Sequence, residues 1–329
     1  MIWSIIAITT PATPLYDAHP GGSLVLGLEK YHLKYNKLPL TYDQQVEQLI
    51  NRGMIIPNRE KAAHYLSHLN YYRLSGYWLP FEASHETHQF LPGITFDHVL
   101  SLYIFDRELK ILIMDAVERI EVSIRTQWAY HLSSRYGSHA HLNSSIFAHQ
   151  GDYLKTLSFL CNEIARSEKQ VFIKHLLNTY DETTPPIWAI VEIMSFGQIS
   201  RLYSNIRERK DRKLISDHYK LDESVLISFM RHLNIIRNMC AHHSRLWNRK
   251  LTTEMVLPKK PSFLNKTLNP SERKRIYNSL VMMAYFLDII SPNNHFKCRL
   301  LQLVNTHPIA DIEQMGFPKD WRNYPFWQI

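Results

Sequence analysis

LYIFDRELKILIMDAVERIEVSIRTQ, residues 102–127, sits inside the longest periodic stretch of the chain, which opens at Thr95 or Asp97 and closes at Gly137. Within it Ile113, Val117, Ile120, Ile124 and Trp128 recur at the three- and four-residue spacing that lines one face of a helix. The pattern on either side is also helical. Thr41-x-x-Gln44 reads as a capping box for a helix closing at Gly53, and Asn58 can cap a second from Arg59 to Leu69. Further helices are expected at about 151–165, 168–179, 187–206, 222–248 and 271–289, whereas period-two alternation is almost absent. NYYRLSGYWLPF (Asn70 to Phe81) is aromatic-rich and reads as a short strand or a packed loop. The expected fold class is mainly α, a bundle of long helices.

Composition narrows the function classes. The 329 residues, 45% hydrophobic and 21% charged, are those of a globular chain with room for a large core. No apolar run reaches the roughly 18 to 20 residues of a membrane span, so no membrane partner is expected. Only 10 glycines occur, with no G-x-G-x-x-G and no G-x-x-x-x-G-K-[ST], which disfavours the common nucleotide-binding classes. Cys161, Cys240 and Cys298 are odd in number and far apart, which suits a reducing cytoplasm and not a disulfide framework or structural zinc. Thirty-eight Lys and Arg against 30 Asp and Glu leave a net +8, the sign expected for a polyanionic partner.

The first residues, MIWSIIAITTPATPLYDAHPGGS, carry no Lys or Arg before Lys30, and prolines and glycines follow a short apolar run. This is not the pattern of a secretory signal. Residues 1–38 are expected to be a poorly ordered extension or the product of a misplaced start codon, 39–94 an N-terminal helical subdomain, and 95–329 the main helical domain.

The chemistry concentrates in SVLISFMRHLNIIRNMCAHHSRLWNRK, from Ser224 to Lys250. Projected at about 100° per residue, Phe229, Leu233, Ile236, Cys240 and Trp247 fall on one side, and Arg231, Asn234, Asn238, His242, Arg245 and Arg249 on the other. A solvated outer face is the bland explanation of the polar stripe, but such faces mix charge signs, and this one holds no carboxylate. Guanidiniums gathered beside an imidazole suit a phosphate surface. Arg237 lies on the flank, about 140° from His242 on an ideal helix. The spacing itself is cheap: Arg59/His64, Arg125/His131, Arg135/His141 and Arg212/His218 also stand five or six residues apart.

Context makes it specific. RNMCAHHSRLWNR (Arg237 to Arg249) resembles the signature of the Abi-like (AbiD/AbiF) abortive-infection proteins, placed among the HEPN ribonucleases. INRGMII (50–56), NYYRLSGYWLPF, the 102–127 stretch, RSEKQVFIKH and PPIWAIVEIMSFGQIS (within 166–200), GFPKDW (316–321) and Trp327 resemble other parts of the family in the same order, so the likeness runs from about 38 to 329. The resemblance implies an all-α HEPN-type bundle with additional N-terminal helices and metal-independent RNA cleavage, with paired motifs from two subunits forming one site. It puts Arg237 and His242 at the motif Arg and His, with Asn238 as the adjoining polar residue. It also implies that Glu118 or Glu121, on the helix that carries Arg125, orients Arg237, and it brings in a small RNA antitoxin as a partner.

The implied chemistry is self-consistent without any cofactor. RNA supplies its own 2′-OH nucleophile, so imidazole proton transfer and guanidinium charge stabilisation suffice to leave a 2′,3′-cyclic phosphate. Acid and base together require His242 from each chain of a homodimer; His243 projects toward the buried side. Glu121 and Arg125 also read as a plain i,i+4 bridge, with Asp115 less suited to the site. Arg166, Glu168 and His175 have no evident mechanism. Tyr71, Tyr72, Tyr77 and Trp78 around Arg73 suit either base stacking or a core. The pairs His242-His243 and His139/His141 lack a carboxylate or Cys at metal-ligand spacing. The leading expectation is therefore an RNA-cleaving toxin of phage defence, against a non-catalytic RNA-binding module or a structural interaction protein.

Overall fold

A computed structural model describes residues 38–328, so the expected 1–38 extension lies outside the described residues except for Leu38. Those residues form two compact units, the first ending at Leu100 and the second beginning at Ser101.

In the first unit, Thr41 closes its capping box on Gln44 at the start of α1 (Tyr42–Asn51), which ends at Gly53 in the left-handed region. The Asn58 side chain accepts the Lys61 amide to begin α2 (Arg59–His68). Val46 and Leu49 of α1 and Ala62 and Leu66 of α2 are buried, and the two helices pack together. The aromatic segment is a helix, α3 (Tyr71–Trp78), and not a strand or loop. The Asn70 carboxamide accepts the Tyr72 amide at 2.8 Å, and Leu74, Tyr77 and Trp78 bury one helical face. A small antiparallel pair, β1 (Glu82–Ser84) and β2 (Gln89–Phe90), follows, with Phe90 edge-on to Trp78.

The unit boundary falls within α4 (Phe96–Tyr136), which has 41 residues, about 60 Å of helix. Its expected bounds hold, and all five residues of its apolar stripe are buried. The remaining elements are α5 (Gln150–Ser167), α6 (Val171–Thr179), α7 (Ile187–Ile193), α8 (Phe196–Asn205), α9 (Arg209–His218), α10 (Glu223–Ala241), α11 (Ser262–Thr267), α12 (Tyr277–Ile290) and α13 (Phe296–Thr306). The fold is mainly α.

Every residue of α12 from Tyr277 to Leu287 is buried, the mark of a helix surrounded on all sides. Phe286 stacks on Phe229 of α10 and lies tilted against Tyr219, with ring centroids 4.6 and 4.7 Å apart. Phe317 and Trp327 pack around Tyr277, whose hydroxyl accepts the Trp327 indole N–H.

The single helix expected at 187–206 is two. Met194 and Ser195 are extended, and Ser195 and Gln198 form a reciprocal capping box that restarts the chain as α8. Ser195→Ala is expected to cost about 1 kcal/mol, measured as a lower urea midpoint with an unchanged slope.

Candidate functional site

The polar stripe occupies about the last three turns of α10 and the chain beyond. The helix stops at Ala241, seven residues short of its expected end. His242 is the C-cap, its amide still donating to the Asn238 carbonyl at 2.9 Å. His243 then adopts φ 54°, its amide reaching Cys240 O and that of Ser244 reaching Met239 O. This is the two-bond Schellman closure, built on a histidine where glycine is usual. The expectation that His243 projects into the core is thus overturned: the helical projection fails after residue 241, and His243 is exposed. Because a side chain in this conformation is strained, His243→Gly is expected to raise stability by about 0.5–1 kcal/mol. A fall in melting temperature would contradict it.

Asn238 and His242 share one helical face and are both exposed. Arg237 is half-buried on the flank, and among the described residues no hydrogen bond or ion pair engages its guanidinium. Arg231 is exposed on the helix two turns earlier. Arg245 and Arg249 lie beyond the helix end, Arg245 half-buried and Arg249 exposed, while Leu246 and Trp247 are buried. The N-terminal turn of α8 presses on this helix: a methyl added at Gly197 would stand 3.3 Å from the Asn234 carboxamide. Cys240 faces inward, its thiol pushed up to about 12 by burial, and it packs as a small apolar group.

The carboxylates do not meet the motif arginine. Glu121 binds Arg125 at 2.6 Å, both side chains largely buried, and Arg125 also donates to the carbonyls of Val191 and Glu192 at the end of α7. The plain i,i+4 bridge is the arrangement observed, and Arg125 serves as a cap for α7. Glu118 is exposed, and among the described residues it forms no ion pair. Asp115 pairs with Arg119 and Arg299. Arg166 pairs with Glu163 on the surface, and Glu168 and His175 are exposed. Of the aromatic set, Tyr77 and Trp78 fill the core of the first unit, while Tyr72 and Arg73 are exposed.

Sequence reading missed a pair that touches the motif directly. Asp106 of α4 is fully buried, and one of its carboxylate oxygens accepts the amides of Leu246 and Trp247 at 2.9 and 2.7 Å. The other accepts Lys110 Nζ at 2.9 Å, and that ammonium also reaches the Ser244 carbonyl at 3.4 Å. The signal was present: Asp106 stands four residues after Leu102 and three before Leu109, inside the apolar stripe.

Among the described residues no group of three or more His, Cys, Asp or Glu side chains is placed to hold a metal ion, and no helix is long and apolar enough to cross a membrane.

A mainly α chain with Arg237, Asn238 and His242 at a helix end is the setting in which its kinship can be read. The family model of the Abi-like proteins matches residues 64–248, more than half of the chain, and the chain belongs to that family, which is tied to abortive infection. The matched region is narrower than the 38–329 over which resemblance was expected, and it ends inside the turn that Asp106 holds. Neither the curated proteins nor the solved structures compared with the chain include a match.

Proposed function

We propose that this chain is a metal-independent endoribonuclease of the HEPN type, a cytoplasmic toxin of an abortive-infection or toxin-antitoxin system. The observation that carries this reading is the ridge at the end of α10: exposed His242 and Asn238 on one face, flanked by the Arg237 guanidinium, which engages no protein acceptor among the described residues. A guanidinium always carries its charge, so a half-buried one calls for an anionic partner; a phosphodiester provides it, in bidentate form. His242 takes the proton of the ribose 2′-OH or delivers one to the 5′-oxygen as it departs. Arg237 holds the negative charge that develops on the phosphorus oxygens, and Asn238 donates to the same group. The product carries a 2′,3′-cyclic phosphate. Acid and base act at once, and a homodimer that brings His242 of each chain to one phosphate supplies both. Arg231, Arg245 and Arg249 extend the positive track along the RNA backbone. In this reading 95–329 is the HEPN-type domain and 39–94 an accessory helical subdomain, and a small RNA antitoxin restrains the site.

The test is incubation of RNA with the protein in EDTA, comparing wild type, His242→Ala and Arg237→Ala, with end-group analysis of the products. Cleavage in EDTA that both substitutions abolish supports the reading. Retained binding with no cleavage by any form makes the chain an RNA-binding module. Loss of thermal stability in Arg237→Ala, with neither binding nor cleavage by the wild type, makes the pair structural.

A further inference from the structure

The Asp106 and Lys110 pair is more deeply buried than the i,i+4 bridges at Glu121/Arg125 and Lys213/Asp217. Lys213 and Asp217, the same spacing on α9, pair with each other and are more than half exposed. Asp106 is 0% exposed, and only one of its oxygens faces Lys110. The other is given over to two consecutive backbone amides 140 residues away in sequence. A carboxylate taken out of water is tolerated only when its lone pairs are met by donors, and here two amides and an ammonium converge on it. The groups gripped belong to Ser244, Leu246 and Trp247, so the main chain is pinned immediately after the left-handed corner at His243. His242 and His243 sit between two fixed points, the end of α10 and this clamp. Arg245 lies between gripped residues.

We infer that Asp106 is a positioning residue of the site: its carboxylate oxygen clamps the backbone after His242 and so fixes the direction from which the imidazole and Arg245 are presented to a phosphodiester. The activity half of this inference rests on the nuclease reading above; the clamp itself does not. A displacement of about 1 Å in a catalytic group can cost on the order of 100-fold in rate, so a clamp of this kind belongs to the turnover step more than to substrate binding.

Two charge-neutral variants isolate the acceptor. Asp106→Asn/Lys110→Met keeps an oxygen for both amides, and Asp106→Ala/Lys110→Met removes it; neither leaves a lone charge in the interior. Hydrogen exchange at the Leu246 and Trp247 amides and RNA cleavage in EDTA are measured on both. The asparagine pair is expected to stay within about threefold of wild type in exchange and in kcat. The alanine pair is expected to exchange at least about 10-fold faster at those two amides, with kcat down about 10- to 100-fold and KM little changed. If the alanine pair does not fold, Asp106→Leu/Lys110→Met, which fills the volume and likewise offers no acceptor, replaces it with the same expectations. Protection retained without the acceptor overturns the inference, as does lost protection with unmoved kcat. A wild type that cleaves no RNA removes the nuclease reading instead, and amide exchange alone then decides the clamp.

Discussion

His242→Ala is expected to lower the rate of RNA cleavage by about 10²–10⁴-fold while leaving the melting temperature where it was. The two halves of this expectation come from different observations. His242 is exposed, and its backbone bond to Asn238 is one that alanine keeps. The core therefore loses nothing. The imidazole is, in the proposed mechanism, the group that moves a proton, and positioned proton transfer is worth a factor of that size. His243→Ala provides the internal control. The neighbouring His243 sits at a left-handed corner one residue beyond the proposed motif position, so its removal is expected to leave turnover within about threefold of wild type, the effect of a group outside the reacting centre. Equal losses in the two variants would mean that the family motif had been carried onto the wrong histidine.

Acidification is expected to destabilise the protein steeply between about pH 6.5 and pH 4, through two histidines that take no part in the site. His141 and His232 are both buried, and burial holds each down to about 4 from an ordinary 6.5. His139 beside His141 adds to the effect, and among the described residues neither ring nitrogen of His141 has a hydrogen-bond partner. His232 is held neutral between Ser279 Oγ at 2.9 Å and Thr253 Oγ1 at 3.4 Å. In this window the unfolded chain takes up protons that the folded chain refuses. Stability therefore rises with pH across it and is lost as pH falls through it. The separation between 6.5 and about 4 corresponds to about 3 kcal/mol for each histidine, a large share of a typical total of about 5–15 kcal/mol. Urea midpoints at pH 7, 5.5 and 4.5 measure it. His141→Phe is expected to remove about half of the dependence, and an unaltered slope in that variant would refute the assignment.

The parts of this molecule that could be read from the chain alone are those whose signals are local. The apolar stripe of α4, its closing Gly137 and the caps at Thr41 and Asn58 each lie within a few residues of the structure they specify. The failures each have a physical cause. α10 ends without Gly or Pro, on a histidine forced into a left-handed turn, so the amphipathic pattern runs on past the true terminus and carries His243 to the wrong side. The break at Met194 and Ser195 is made by a capping box inside an apolar run that reads as continuous helix. α3 looks like a strand because its aromatics and Gly76 hide an i, i+3, i+4 pattern at Leu74, Tyr77 and Trp78. For the candidate site, Arg237, Asn238 and His242 lie within six residues of one another, so a local reading can propose them together. Asp106 shows only as a carboxylate inside an apolar stripe with Lys110 four residues on; its long-range partners are backbone amides, which leave no mark on the residue types at 246 and 247.

The family-matched segment, 64–248, is expected not to fold by itself. The inward face of α10, with Phe229 and His232, is covered by Phe286 and Ser279 of α12, which lies wholly downstream of that segment. A fragment trimmed to the shared motif would leave a greasy seam open to water along the very element that bears Arg237 and His242. It would clump or bind indiscriminately, and silence in a cleavage assay of such a fragment would carry no information about the chemistry of the whole chain.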